Sequence, residues 1–402
     1  CIPSKRIYNL HLTDKLNRGE LDLIAHKILE LARKDNILFD LEVVKKASRK
    51  LKENNTHIKK ETTKLMKRLF YPNIDLKIHH NAKFTKKDFL DCLCYIASNE
   101  KFANGGAECF KEEKDSDDSP SGDLLLHHFK KFNSVSKLKE MFERILDVTL
   151  NFAKSDYNIL RERKLNIAYD LHLIPFYGDK NAPFVYESEP KKGTSHFYCY
   201  LTCCITIHGK RFTLDVVPVH KTDKIHKLVD ESLEMVKKKI KIGLVCLDRG
   251  FDNIEVINVL KKHNVRFIMP KIRSPTVKAW FDKSDGVKFR VIKDFQIGTV
   301  KRNAIVNLSL VDDEKGVKRA FMTNFDVAPC LAYRLYKDYS PRWGIETSYR
   351  VIEHDFLAKT TTKNYFIRFF YFLFSVCLYN LWILANIVVS MKVYGRISDK
   401  YA

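Results

Sequence analysis

Carboxylates are the scarce side chains of this sequence. Asp and Glu number 49 against 71 Lys and Arg in 402 residues, which leaves a formal charge of +22. That deficit disfavours acidic partners and favours a polyanion or an anionic membrane surface. Paired cysteines are also missing. Of the ten cysteines, only Cys92 with Cys94 and Cys203 with Cys204 lie close together, and neither forms a CxxC pair, so zinc-ribbon and finger spacings are excluded. Cys246, inside Gly-Leu-Val-Cys-Leu, reads as a small reduced hydrophobe of a cytosolic protein. Residues 1–30 hold no continuous apolar stretch and carry charges throughout, so no leader is expected there. No internal repeat and no clear helix-turn-helix spacing is found. What is present is 45% hydrophobic and 12% aromatic residues, which excludes wholesale disorder, and a length that suggests two or three domains.

Residues 1–155 read as a helical region and the natural place for DNA binding. Leu21, Ile24, Ile28, Leu29 and Leu31 recur at helical spacing, Lys-rich faces follow over 45–68, and Leu124 to about Lys154 reads as one helix. Between them, 111–123 carries six acids with Pro and Gly and reads as an exposed linker. From 164 the period changes to two: Leu165, Ile167, Tyr169, Leu171 and Leu173 alternate with Asn166, Ala168, Asp170 and His172. Runs at 196–207 and 211–219 flank His208-Gly209-Lys210 as a hairpin. An amphipathic helix at 222–240, a buried strand at Ile242–Leu247, a helix at about 253–263 and a strand at Arg266–Met269 complete a β-β-β-α-β-α-β order over 160–275. Short crossovers place the first strand beside the fourth, so Asp170 and Asp248 should be neighbours, the arrangement of an RNase H-like α/β fold. Residues 276–330 read as a β-rich insertion, and 331–402 as C-terminal helices completing the core, with Ser340 as N-cap and Pro341 at the first helical position.

Three acids stand out: Asp170 in mid-strand, Asp248 in Leu-Asp-Arg-Gly-Phe, and Glu346 in Arg-Trp-Gly-Ile-Glu-Thr-Ser-Tyr-Arg. An acid within an apolar strand is costly unless it is paired or binds metal. Converging carboxylates are hard oxygen ligands that suit Mg²⁺ or Mn²⁺, and two such ions serve phosphodiester displacement. Asp179 reads as turn chemistry, Asp252 as a cap for the helix near Asn253, His172 as a satisfied sheet histidine, and Asp215 as a strand acid without partner motifs.

At Tyr339, Arg342 and Glu346 the sequence resembles an insertion-sequence DDE transposase whose third acid lies in a Tyr-x2-Arg-x3-Glu-x6-Lys signature. Ala-Tyr-Asp-Leu-His-Leu-Ile-Pro-Phe-Tyr-Gly-Asp around Asp170 and Asp-Arg-Gly-Phe at Asp248 match the first and second acid segments, and the likeness covers about 160–390. The resemblance implies Asp170, Asp248 and Glu346 as catalytic metal ligands for a pair of Mg²⁺ or Mn²⁺ ions. It implies DNA as partner, both element terminal inverted repeats and target, with cleavage followed by strand transfer and an active homodimer. Tyr339 and Arg342 would position phosphates. The signature's final Lys falls at Glu353, so Arg350 or Lys359 would take that contact. The expected place of action is the cytoplasm, at the nucleoid. A nuclease of the same fold without strand transfer and an inactive DNA-binding remnant are the rival readings.

One run, Phe369 to Met391, has no charged residue and is long enough to span a bilayer. Ser375, Asn380, Asn386 and Ser390 interrupt it, and a helix buried on all sides fits it equally. The resemblance implies the latter, a core helix against the catalytic sheet.

Overall fold

A computed structural model describes residues 56–58, 60–115, 118–155, 164–207, 210–283, 289–312 and 316–394. The helical periodicity expected over Leu21–Leu31 lies outside them. Among the described residues, the helices α1 (Lys86–Ser98), α2 (Ala103–Lys114), α3 (Gly122–Phe129) and α4 (Val135–Ser155) lie before the sheet. Helix α1 starts where it does because Thr85 and Asp88 form a reciprocal capping box. The Ser121 hydroxyl accepts from the Leu124 N–H and starts α3 in the same way. The acidic linker is therefore shorter than expected, since Lys111–Lys114 finish α2 and Gly122 opens α3. The single helix expected from Leu124 onward is two, because 130–134 does not continue the helical turn.

The strands β1 (Leu165–Pro175), β2 (Tyr186–Lys191), β3 (Thr194–Ile207), β4 (Lys210–Val219), β5 (Ile242–Leu247), β6 (Phe267–Pro270), β7 (Phe289–Thr299), β8 (Arg302–Asp312) and β9 (Lys318–Thr323) form one mixed sheet. Its order is β2-β3-β1-β5-β6-β9-β8-β7, with β4 also paired to β3. Helix α5 (Ile225–Lys239) connects β4 to β5, α6 (Ile254–Lys262) connects β5 to β6, and α7 (Pro275–Asp282) precedes β7. The expected adjacency of the first strand and Ile242–Leu247 holds: β1 runs parallel to β5, with Ala168 opposite Cys246 and Tyr169 opposite Leu247. Strands β7–β9, expected as a small inserted sheet, are continuous with the main one through antiparallel β6–β9 pairing.

The two-residue period of β1 sorts its side chains. Ile167 and Tyr169 join a core with Val229, Leu233 and Val236 of α5 and Val256, Ile257 and Leu260 of α6. The Tyr169 hydroxyl donates to Ser232 of α5 at 3.1 Å. His172, on the opposite face, stacks 5.4 Å from Phe372 of the long helix α10 (Tyr365–Tyr394). On that face α10 lies between the sheet, where Tyr200 stacks on Phe372 at 4.4 Å, and the helical region, where Phe129 and Phe132 of the α3 end meet Phe370 at 4.9 and 4.7 Å. Burying each such aromatic is worth on the order of 1.5–3 kcal/mol.

This packing answers the bilayer question raised by 369–391. By length and composition the helix could cross a membrane, but 94% of its apolar window is buried inside the protein. Of its polar interruptions, Ser375, Asn380 and Asn386 are satisfied internally. Asn380 donates to the Thr213 carbonyl at 2.8 Å and accepts from the Thr213 N–H at 2.9 Å, and the Ser375 hydroxyl donates to Phe372 O at 2.7 Å. Thr213 sits where β4 bulges against β3, so Asn380 fills backbone bonds that the ladder leaves open.

Two other expectations are corrected. Ser340 does not cap a helix: α8 (Tyr333–Tyr339) already runs into it, and its hydroxyl donates back to Lys337 O at 3.0 Å. Asp252 does not cap α6. Asn253 does, while Asp252 is buried and accepts from Lys271 Nζ at 2.8 Å and from Ile272 N–H at 2.9 Å.

Candidate active site

Strand β5 ends at Leu247, while its parallel neighbour β1 continues to Pro175. By register, the residue after the Tyr169–Leu247 pair is Asp170 on one strand and Asp248 on the other, so the two acids sit side by side where β5 stops. Such a strand end is where open α/β sheets gather ligands. Asp248 leaves the strand because its carboxylate accepts from the Arg249 N–H at 2.7 Å and turns the chain into a short 3₁₀ segment. Asp170 is opposite Thr202 of β3.

The third acid arrives on α9 (Gly344–Val351), in whose first turn Glu346 lies. Three contacts dock this helix. Ile345 is buried, the Tyr349 and Thr202 hydroxyls share a hydrogen bond, and Tyr379 of α10 donates to Ser348 at 3.2 Å. The preceding turn is propped by buried Arg211 of β4, whose guanidinium donates to the Pro341 carbonyl. A Cβ at Gly344 would overlap that guanidinium, so any larger residue requires the buried Arg211 side chain or the turn to shift.

Arg342 occupies the centre. Its side chain is 3% exposed, with Nη1 3.7 Å from Asp170 Oδ1 and Nη2 3.6 Å from Asp248 Oδ1 and 3.9 Å from Glu346 Oε1. These are ion-pair distances, longer than hydrogen bonds, and Nε and Nη1 of Arg342 have no hydrogen-bond partner. Burial works against the guanidinium charge, yet Tyr339, Asp248 and Asp170 beside it raise its pKa further. Asp170 is pushed up to about 6, first by burial, then by repulsion from Asp248 and Glu346, with Arg342 opposing.

The other expected contacts fall differently. Tyr339 is buried 5.4 Å from Phe321, with Arg342 over its ring at 5.4 Å, so it supports the guanidinium and does not face solvent. Arg350 is exposed on α9. Lys359 is ion-paired to Glu100 at 3.4 Å and lies in a bridge to Phe102, against the helical region. Glu353, where the signature has Lys, lies in the widened π turn Ile352–Phe356 that extends α9. It binds His172 Nε2 at 3.1 Å and Lys192 Nζ at 3.6 Å, and its pKa is lowered: burial pushes the other way, but His172 and Lys192 prevail. His172 is the packed histidine expected, ringed by Tyr349 and Phe372. Asp179 is a turn acid, accepting from Asn181 N–H at 2.9 Å. Asp215 is buried and 3.5 Å from Lys139 of α4.

Sequence reasoning missed Arg211, Lys192 and the Tyr349–Thr202 pair. Only Lys192 had a signal, the Lys-Gly of a tight turn. Among the described residues a second group, Asp230, Glu234 and His263, brings possible metal ligands together. There Asp230 already accepts from Lys262 at 2.8 Å and contacts His263 at 2.5 Å, which makes it an ion-pair cluster.

No curated protein matches the sequence. In fold, the chain is similar to the piggyBac transposase in a synaptic complex with hairpin DNA, at TM-score 0.51 and 11% identity over 87% of this chain and 78% of that one. A paired-end complex of the Mos1 transposase aligns over 52% of this chain and 74% of that one, at 10% identity and a TM-score of only 0.17. The family model described as transposase DDE domain matches residues 163–381, more than half of the chain and all three clustered acids, and the protein belongs to that family.

Proposed function

We propose that this protein is a DNA transposase of RNase H-like catalytic fold that cuts DNA at insertion-sequence ends and joins the freed ends to target DNA. The observation that carries the reading is the convergence of Asp170, Asp248 and Glu346 on one buried guanidinium with unsatisfied donors. The sheet order β4-β3-β1-β5-β6, with β1 antiparallel to β3 and parallel to β5, supports the fold assignment.

An all-carboxylate donor set fits Mg²⁺ or Mn²⁺, and the guanidinium among the acids already stands where positive charge is favoured. Asp170, Asp248 and Glu346 would hold two such ions. Bound there, divalent cations supply Lewis acidity for in-line displacement at phosphorus. The chain's own residues do the rest. Arg342, with Nε and Nη1 unbonded, is matched to a phosphate oxygen, a charge-assisted contact that its burial strengthens. Tyr339 and Arg211 hold the turn that carries it. Hydrolysis and strand transfer are both displacements at phosphorus, so one site serves both. The +22 charge suits DNA as the partner. Residues 1–155 would read the element ends and 276–330 would form the insertion. The active assembly is a homodimer acting at the nucleoid.

The test is cleavage and joining of a labelled duplex carrying the flanking inverted repeats with Mg²⁺ or Mn²⁺. Metal-dependent products that vanish in Asp248→Ala are expected. Activity surviving in that variant overturns the assignment, and cutting without joining selects the nuclease.

A further inference from the structure

At the far end of β1 the chain presents an aromatic ring that the fold does not use for packing. Tyr177 is 70% exposed, yet it is not loose, because its hydroxyl donates to the Lys192 carbonyl at 2.8 Å. The frame beneath it is rigid. Phe176 is buried under the Arg368 guanidinium, its N–H donates to His196 O at 2.9 Å, and its carbonyl accepts from the Thr194 hydroxyl at 3.0 Å. Lys192 sits in the β2–β3 turn at φ 52, a left-handed conformation that Asn, Asp or Gly adopts at lower cost, so turn geometry does not account for a lysine there. Its side chain is 65% exposed and its ammonium is 3.6 Å from Glu353. Glu353 in turn holds His172, two residues along β1 from Asp170. Lys180 and Lys191 are exposed nearby in sequence, as are the acids Asp179, Glu187 and Glu189, of which Glu187 is engaged by Lys221 at 2.8 Å.

A fixed, solvent-facing ring beside ammonium groups is what sequence-tolerant nucleic-acid binding requires, with base stacking on the π face and phosphate on the cation. Seven residues of chain separate Tyr177 from Asp170, a reach of at most about 25 Å. That equals about seven base steps of duplex. We infer that Tyr177 and Lys192 form a DNA-contact tip for the strand leaving the acid cluster, the ring stacking on an unpaired base and the ammonium exchanging Glu353 for a phosphate. The inference rests on the function proposed above.

Binding of the full chain to a labelled mixed-sequence single strand of about 20 nucleotides, longer than one binding groove covers, tests it across a salt series. Tyr177→Leu should weaken binding about 5- to 100-fold, the worth of one stacked base. Tyr177→Phe, which keeps the ring, should stay within about twofold of wild type, because stacking needs only the π face. Lys192→Gln should reduce the log–log salt slope by about 0.7, one phosphate contact. Unchanged affinity and slope in the Leu and Gln variants, with wild-type binding intact, overturn the tip and leave the acid site standing. A Phe variant as weak as the Leu variant overturns stacking. A wild-type chain that binds no DNA overturns both readings. Both side chains are surface positions, and equal melting midpoints exclude misfolding as the cause of any loss.

Discussion

Asp170 and Arg342 show how much a single pair of side chains decides. The Asp170 carboxyl titrates near 6 in the folded chain against 3.8 unfolded. Between those values the folded form holds a proton that the unfolded form has released, so stability falls as pH rises through this window. In EDTA the group alone should cost about 2 kcal/mol between pH 4 and 7. Urea melts at both pH values should show that loss in wild type and not in Asp170→Asn; equal pH dependence in the two would refute it. Gly344 makes a second residue-scale prediction. An added methyl meets the buried Arg211 guanidinium, so Gly344→Ala should displace the Ser340–Trp343 turn and with it Arg342 and Glu346. A drop in cleavage of at least tenfold with the melting midpoint lowered by only a few degrees is expected, as ångström misplacement of reacting groups costs about 10²-fold. Wild-type rates in Gly344→Ala would show that the turn tolerates the shift.

Helix α10 carries the element-scale lesson. Its sequence is long enough for a bilayer span, and its polar interruptions point elsewhere, Asn380 at the centre most of all, because an amide in a helix without a polar partner would be orphaned in lipid. That partner is a bulge in a strand 167 residues away, which no local pattern announces. Asn380→Leu should leave the Thr213 N–H and carbonyl unsatisfied and lower stability by about 1–3 kcal/mol. Chemical denaturation checks this, and an unchanged midpoint would mean water replaces the amide. Strand β2 was illegible for a different reason. Tyr-Glu-Ser-Glu-Pro-Lys is polar almost throughout because the strand lies at the sheet edge, and period-two reading needs one buried face. Ser340 misled because a good capping residue followed by Pro looks the same inside a continuing helical path.

Across the whole molecule, legibility followed distance in the sequence. The adjacency of Asp170 and Asp248 could be derived because crossover handedness and strand order leave few alternatives. Glu346 stood out as an acid in its own motif, but its place beside the other two came only through family resemblance, since a helix returning after β7–β9 obeys no comparable rule. The resemblance put Arg342 near the acids, but its contacts with Asp170 and Asp248 were hidden, these partners being 172 and 94 residues upstream of it. The assembled cluster predicts linkage. Mn²⁺ should raise the melting midpoint of the whole chain in a concentration-dependent way, and Asp170→Asn combined with Asp248→Asn should abolish the rise. A midpoint shift that persists in the double variant would direct attention to the Asp230, Glu234 and His263 group.

The junction of β6 with β9 has a mechanical meaning. Ile268, Met269 and Pro270 are zipped to Thr323, Met322 and Phe321, and β6 is paired in turn to β5. Strands β7–β9 therefore cannot swing on a hinge as an appended module would. A load placed on them would travel through main-chain bonds, strand by strand, to the end of β5 where Asp248 stands, so a tug on these three strands would reach the acids as a twist of the sheet.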